Sequence, residues 1–201
     1  VAGKNAATAD LASANAYASV DHNGVVTGKK IGNATIVAVY QGQKIKRKLH
    51  IAGKKKIALD AGHQSRGDSR KEPVGPGSSV RKARVAGGAT GVASRVPEYK
   101  FTLSVAKRLQ KELKKRGYEV YMVRTKNNVN ISNKKRAMLA NKSGADIYIR
   151  IHGDSSGSRG VKGASIFYPS ARNPYVSRLS RSSKRLSKKL LNAYCKKTGI
   201  K

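Results

Sequence analysis

His63 and His152 each follow an apolar run at the point where the run breaks. The first run, Lys56-Ile57-Ala58-Leu59-Asp60, ends in Ala61-Gly62-His63, and the second, Asp146-Ile147-Tyr148-Ile149-Arg150-Ile151, ends in His152-Gly153. Such runs read as buried strands of a parallel sheet, and ligands of these sheets gather beyond the carboxyl ends of the strands. Two imidazoles leaving neighbouring strand ends can meet on one metal ion, and a carboxylate would complete the set. Glu98 is the candidate. In Arg95-Val96-Pro97-Glu98-Tyr99-Lys100, Pro97 suits the first turn of a helix. Val105, Ala106, Leu109 and Leu113 then form an apolar stripe that counts back through Thr102 to Glu98. Two neutral imidazoles and one carboxylate make a catalytic zinc set that keeps its fourth position for water. Only 10 Asp and Glu stand against 43 Lys and Arg, so a carboxylate in this place is conspicuous.

Each of these residues also has a plainer reading. A histidine after a strand is more often a hydrogen-bonded loop residue, and a glutamate in a first helical turn is more often a partner of the helix dipole. The metal reading rests on the three together, at one predicted sheet edge.

The elements that must position them form an α/β alternation. A long loop, 64–96, with breakers at Pro73-Val74-Gly75-Pro76-Gly77 and Gly87-Gly88, links two of the proposed ligands and is expected to border a substrate groove. The pattern then predicts helix 97–116 closed by Gly117, strand 118–124, helix 132–142 capped by Ser132 and stopped by Ser143-Gly144, and strand 146–151. A further strand is expected over Gly163 to Tyr168. A last helix should open at Asn173-Pro174, bury Leu179, Leu186 and Leu190, and close at Gly199.

Residues Ile57 to His63, Pro97-Glu98-Tyr99 and Ile149 to His152 together resemble the zinc-dependent N-acetylmuramoyl-L-alanine amidases of bacterial cell walls. The resemblance covers residues 56–201. It includes Gly117 to Thr125, Asn128-Val129-Asn130-Ile131-Ser132, Arg136 and Ala140-Asn141. It implies an amidase/phosphorylase-like fold, a mostly parallel twisted sheet flanked by helices. It also implies cleavage of the amide between the lactyl group of N-acetylmuramic acid and L-alanine in peptidoglycan, with Zn2+ held by His63, Glu98 and His152. Asp60, two positions before the Gly-His pair, matches an acidic residue of the family and is read as supporting the ligands rather than reacting. Two departures are expected to matter. Gly153 and Asp154 stand where the family usually has Ala-Asn, which places a carboxylate near the metal. The family's general base, a late glutamate, would fall beyond Lys201, and no acidic residue follows Asp154. The 54–201 segment is therefore expected to be a C-terminally incomplete catalytic domain with impaired turnover.

Composition shifts near Gly53. Before it, Asn23-Gly24 predicts a tight turn, Ala34 to Tyr40 a strand, Gln41-Gly42-Gln43 another turn, and Lys44 to Ile51 the hairpin partner. This stretch resembles the later half of a bacterial immunoglobulin-like (group 2) module. Residues 1–53 are expected to be part of such an all-β segment, although Val1 to Ala18 is Ala-rich without strand alternation.

The net charge of +33 sets the class of partner. A field of this sign concentrates anions, for which nucleic acid is the default and a solvated basic surface the plain alternative. No nucleic-acid motif, no Trp and only two Phe are present, so anionic wall polymers and peptidoglycan carboxylates fit better and no nucleic acid is expected. Two other readings stay open beside the enzyme: a peptidoglycan-binding or regulatory amidase homologue that does not cleave, and a nucleic-acid binder. Cys195 is the single cysteine, so an internal disulfide is excluded. No apolar run reaches transmembrane length and no signal peptide opens the chain. The resemblance implies a secreted or wall-associated bacterial protein.

Overall fold

The computed structural model describes residues 10–13, 16–158 and 160–200. Five antiparallel strands come first: β1 (Asp10–Ser13), β2 (Ala18–Val20), β3 (Val26–Gly28), β4 (Gly32–Tyr40) and β5 (Gln43–Ile51). The order β1-β4-β5 makes one sheet, and β2-β3 is a separate hairpin. Both expected turns are present. Asp21 Oδ1 accepts the Asn23 and Val25 amides at 3.0 and 2.9 Å, with Gly24 at φ 78°. Gln41 and Gly42, at φ 48° and 78°, join β4 to β5 with the two left-handed residues that match strand twist. The Ala-rich start differs in part from expectation, since Asp10–Ser13 pairs with β4; residues 1–9 and 14–15 lie outside the described residues.

The site sits on the second sheet. β6 (Lys56–Ala61) is its centre, followed by a hairpin of β7 (Asp68–Pro73) and β8 (Arg81–Val85) and by α1 (Glu98–Lys115). β9 (Glu119–Met122), α2 (Asn133–Lys142) and β10 (Ile147–Ile151) complete it, with strand order β10-β6-β9, all parallel. Every residue of β6 after Lys56 is buried, because each face is covered by a helix. On one face Ala61 packs with Leu103 and Ala106 of α1, while on the other Ala58 packs with Val123 and Ala140 of α2. Two covered faces explain why the run is continuously apolar rather than alternating. Asp60 is the exception, and it has partners described below. α1 buries Glu98, Thr102, Leu103 and Ala106, the face counted back from the apolar stripe. Arg116 caps its end and Gly117 leaves at φ 82°. Ser132 Oγ accepts the Lys135 amide at 3.2 Å, the expected cap of α2.

Four expectations are corrected. The loop 64–96 contains the β7–β8 hairpin, tied down where Glu72 accepts the Lys134 amide at 3.0 Å and satisfies an orphan donor of α2. The strand expected over 118–124 is shorter, Glu119–Met122. Residues 163–168 are not a strand; Phe167 is 89% exposed, so the apolar pattern has nothing to pack on among the described residues. Asn173 caps only a local turn, accepting the Tyr175 and Val176 amides at 2.9 and 3.1 Å. A 3-10 turn (Ser177–Leu179) intervenes, and α3 begins at Ser180 and runs to Thr198. Its expected buried face is largely open: Leu179 and Leu190 are exposed, and Leu186 is half-buried. Gly199 ends it in the left-handed conformation.

Candidate metal centre

His63 and His152 emerge side by side because β6 and β10 are adjacent and in register, with Arg150 opposite Asp60 and Ile151 opposite Ala61. The ladder continues one step beyond the strands, where the Gly62 amide donates to Ile151 O at 2.8 Å. That step brings the His152 ring onto the backbone of Gly62. A Cβ at Gly62 would lie 2.5 Å from His152 Cε1 and 2.6 Å from Ile151 O, so only glycine fits. His63 adopts φ 58°, a strained conformation for a non-glycine residue that turns its ring back over the strand ends. Glu98 enters from the first turn of α1. Its carboxylate is oriented by two amides, Ala89 N–H to Oε2 at 3.0 Å and Gly153 N–H to Oε1 at 2.9 Å.

The three side chains converge. His152 Nδ1 lies 3.1 Å from His63 Nε2 and 3.0 Å from Glu98 Oε1, and His63 Nε2 lies 3.1 Å from Glu98 Oε2. The rings meet edge to face with centroids 4.7 Å apart. His63 Nδ1 sits 2.8 Å from Ala86 O. A carbonyl only accepts, so Nδ1 carries a proton, and in the neutral ring Nε2 presents its lone pair to the other two groups. The carboxylate oxygens have no proton either. Two ring nitrogens and both oxygens of one carboxylate thus face one another, and one proton on His152 Nδ1 cannot serve every contact. A cation resolves the conflict. Tetrahedral zinc with bonds of ~2.1 Å would separate its ligand atoms by ~3.4 Å; the two ring nitrogens stand 3.1 Å apart, and one ligand atom from each of the three residues lies within 4.8 Å of the others. The donor set therefore fits a zinc-type ion.

Electrostatics favour the metal-ready state. Burial works to raise the Glu98 carboxyl, but the Ala89 and Gly153 amides, the His152 hydrogen bond and nearby His63 outweigh it, and the carboxyl is held below its ordinary value. Burial pushes the His152 imidazole down, with Arg150 and His63 adding and the Glu98 contact opposing. Both groups are thereby biased toward their deprotonated, ligating forms.

Two buried arginines hold the turn that carries His63. Arg136 donates from Nη1 to Asp60 Oδ1 at 2.6 Å and Ala61 O at 2.9 Å, and from Nη2 to His63 O at 2.8 Å and Gln64 Oε1 at 3.2 Å. Arg124 donates to Ala61 O at 2.8 Å and, from Nη2, to Gly62 O at 3.0 Å and Tyr99 O at 2.8 Å. The carbonyls of 61–63 are gripped from both sides, and Tyr99 O ties the start of α1 into the same clamp. Burial, aided by Arg136 and opposed by Asp60, lowers the Arg124 guanidinium to about 10. Asp60 touches neither histidine. Its oxygens take Arg136 Nη1 and Tyr148 Oη, the latter at 2.6 Å, with Arg150 Nε 3.5 Å away. Asp154 lies outside the converging group; it is exposed and its Oδ1 accepts the Ser155 amide at 2.9 Å.

The three donors stand out in the sequence, and the clamp does not. Arg124 comes two residues after β9, behind Val123, and Arg136 shares a helical face with Ala140. Among 43 basic residues those signals do not stand out.

Known proteins were compared with this chain. The model of the Amidase_3 family, N-acetylmuramoyl-L-alanine amidase, matches residues 57–201. Comparison with curated proteins gave no match. The amidase Ami1 of Mycobacterium abscessus, in its apo form, is 24% identical with a TM-score of 0.52, covering 66% of this chain and 64% of its own. Ami1 of Mycobacterium smegmatis is 26% identical with a TM-score of 0.49 over 54% of this chain and 50% of its own. The amidase of Clostridium difficile 630 is 27% identical with a TM-score of 0.41 over 56% and 50%. The chain spans about half the length of the M. smegmatis enzyme. The family match takes in all three converging donors and most of the sequence: this chain belongs to the Amidase_3 family of N-acetylmuramoyl-L-alanine amidases.

Proposed function

We propose that this protein is a zinc-dependent peptidoglycan amidase that hydrolyses the bond between N-acetylmuramic acid and L-alanine, with His63, Glu98 and His152 as its metal ligands. The observation that carries the reading is the convergence of two imidazoles and one carboxylate, with contacts of 3.0–3.1 Å, in a chain of this family. Bound there, zinc supplies a Lewis acid for the scissile carbonyl and lowers the pKa of a water toward ~7. The chain's own residues do the rest. The Ala89 and Gly153 amides orient the Glu98 carboxylate, Ala86 O fixes the His63 tautomer, and the arginine clamp keeps the 61–63 turn in place. Asp60 acts through Arg136 and Tyr148 rather than on substrate. Proton transfer needs a base, and Asp154 is the only acidic residue after His152. Such a base contributes ~10²–10⁴-fold of rate, and Asp154 is the candidate among these residues.

Residues 1–53 are read as part of an immunoglobulin-like module that spaces or attaches the amidase, and 54–201 as the catalytic domain of a secreted or wall-associated protein. The support is that β1–β5 pair only among themselves and β6, β9 and β10 only with one another. No helix among the described residues is long and apolar enough to cross a membrane. The test combines elemental analysis with an assay for amino groups released from purified peptidoglycan in the presence of zinc. Stoichiometric zinc lost in His152→Ala, with release abolished by Glu98→Gln and lowered by Asp154→Asn, is the expected result. Zinc retention in His152→Ala would sink the ligand set. Peptidoglycan binding with no release at all would favour the second reading, a non-cleaving homologue.

A further inference from the structure

A basic line outside the metal centre lies on the N-terminal sheet. β5 reads Gln43-Lys44-Ile45-Lys46-Arg47-Lys48-Leu49-His50-Ile51. Its register opposite β4 pairs Lys44 with Val39, Lys46 with Val37, Lys48 with Thr35 and His50 with Asn33. Ala34 and Ile36 lie in the core on the opposite face, so Lys44, Lys46, Lys48 and His50 all stand on the open face. Every residue of β5 before Ile51 is exposed. Among the described residues, the ion pairs formed leave all three lysines without a carboxylate partner. β1 brings Asp10 beside Val39, a full strand away from Lys44 in register.

Edge-strand protection explains a charge or two, and Arg47 on the core side already supplies an inward-facing one. It does not explain three lysines in phase on the other face. Alternate residues of a strand are spaced ~6.8 Å apart, less than the ~8 Å screening length at physiological salt, so the lysines act as one charged line. Val37 and Val39, half-buried beside them, offer apolar contact to a polymer backbone.

We infer that this face docks a linear polyanion of the bacterial wall, a polymer of phosphodiester-linked polyols, and so tethers the chain independently of the metal centre. Nucleic acid is the poorer occupant, because the face formed by residues 33, 35, 37, 39, 44, 46, 48 and 50 has no ring on which bases would stack apart from His50.

The test titrates the full chain with a lipid-free poly(glycerol phosphate) at several salt concentrations. The variant K44Q/K46Q/K48Q should weaken binding at least tenfold and reduce the salt slope by ~2, as three lost phosphate contacts require. K184Q/K188Q/K189Q on α3 removes the same charge elsewhere and should change binding less than twofold. Thr35→Glu, which leaves every lysine in place but adds an anion opposite Lys48, should also weaken it. Circular dichroism identifies any variant that fails to fold, and the Thr35→Glu result then decides. Equal weakening by the two triple variants would show that only global charge matters and would overturn the inference. So would tighter binding of a DNA duplex at equal phosphate concentration, lost with the β5 lysines.

Discussion

Replacing Arg136 with methionine removes the guanidinium that joins Asp60 to the turn carrying His63. Arg136 and Asp60 are both fully buried, and their ion pair is 2.6 Å long. Methionine leaves the Asp60 carboxylate with Tyr148 Oη as its remaining close donor, and Arg150 Nε, 3.5 Å away, is a weak substitute. Ala61 O keeps Arg124, but His63 O and Ile131 O lose the side-chain donors they had at 2.8 and 3.1 Å. Removing one member of a buried pair costs about 3–5 kcal/mol, most of it from the stranded charge. Small domains have about 5–15 kcal/mol in total, so the variant should remain measurable but fragile. Urea unfolding followed by circular dichroism gives the difference by linear extrapolation. Asp60→Asn in the same chain removes the stranded charge, so the double variant should recover about 1–2 kcal/mol relative to Arg136→Met alone. A loss below about 1 kcal/mol for Arg136→Met, or strict additivity in the double variant, would refute the view that a charge-coupled clamp holds this turn.

Gly62→Ala should lower zinc affinity about 10–100-fold in a competition titration while leaving secondary structure intact, because the new Cβ displaces the His152 ring; unchanged affinity would contradict the contact. Tyr148→Phe should cost about 1.5 kcal/mol of stability, the low end for a hydrogen bond to a charged group because the ring is partly exposed, and a neutral result would remove Tyr148 from the Asp60 network. The Asp68 carboxyl, hydrogen-bonded first of all to Arg70, is held at about 2 against an ordinary 3.8. A depressed carboxyl contributes stability above its unfolded value and loses it as pH falls through the folded one. Amide exchange in β7–β8 should therefore quicken between pH 3.8 and about 2, and Arg70→Gln should move that change to higher pH. Quickening already complete above pH 3.8 would show that another group controls the hairpin.

Much of the site was legible from residue order alone. A β6 run that is apolar at nearly every position requires cover on both faces, and a strand so covered must sit inside a parallel sheet. His63 and His152 then fall at neighbouring strand ends, and helical spacing from Leu113 back to Glu98 puts the carboxylate on the same side. Local turns were equally readable, because Asn23-Gly24, Gln41-Gly42 and the Ser132 cap are short-range matters of backbone sterics and hydrogen bonding. What sequence could not supply was decided by contacts between distant segments. Arg124 and Arg136 become a clamp only when α2 and the end of β9 close over the 61–63 turn, and their partners are backbone carbonyls, which every residue possesses and no pattern marks. The Ala86 carbonyl and Ala89 amide act on His63 and Glu98 only because the β7–β8 hairpin folds back over the site. The strand expected at 163–168 and the buried face expected of α3 failed for the same reason in reverse. An apolar pattern states what a segment could bury, and the tertiary structure alone decides whether a surface is there to bury it against.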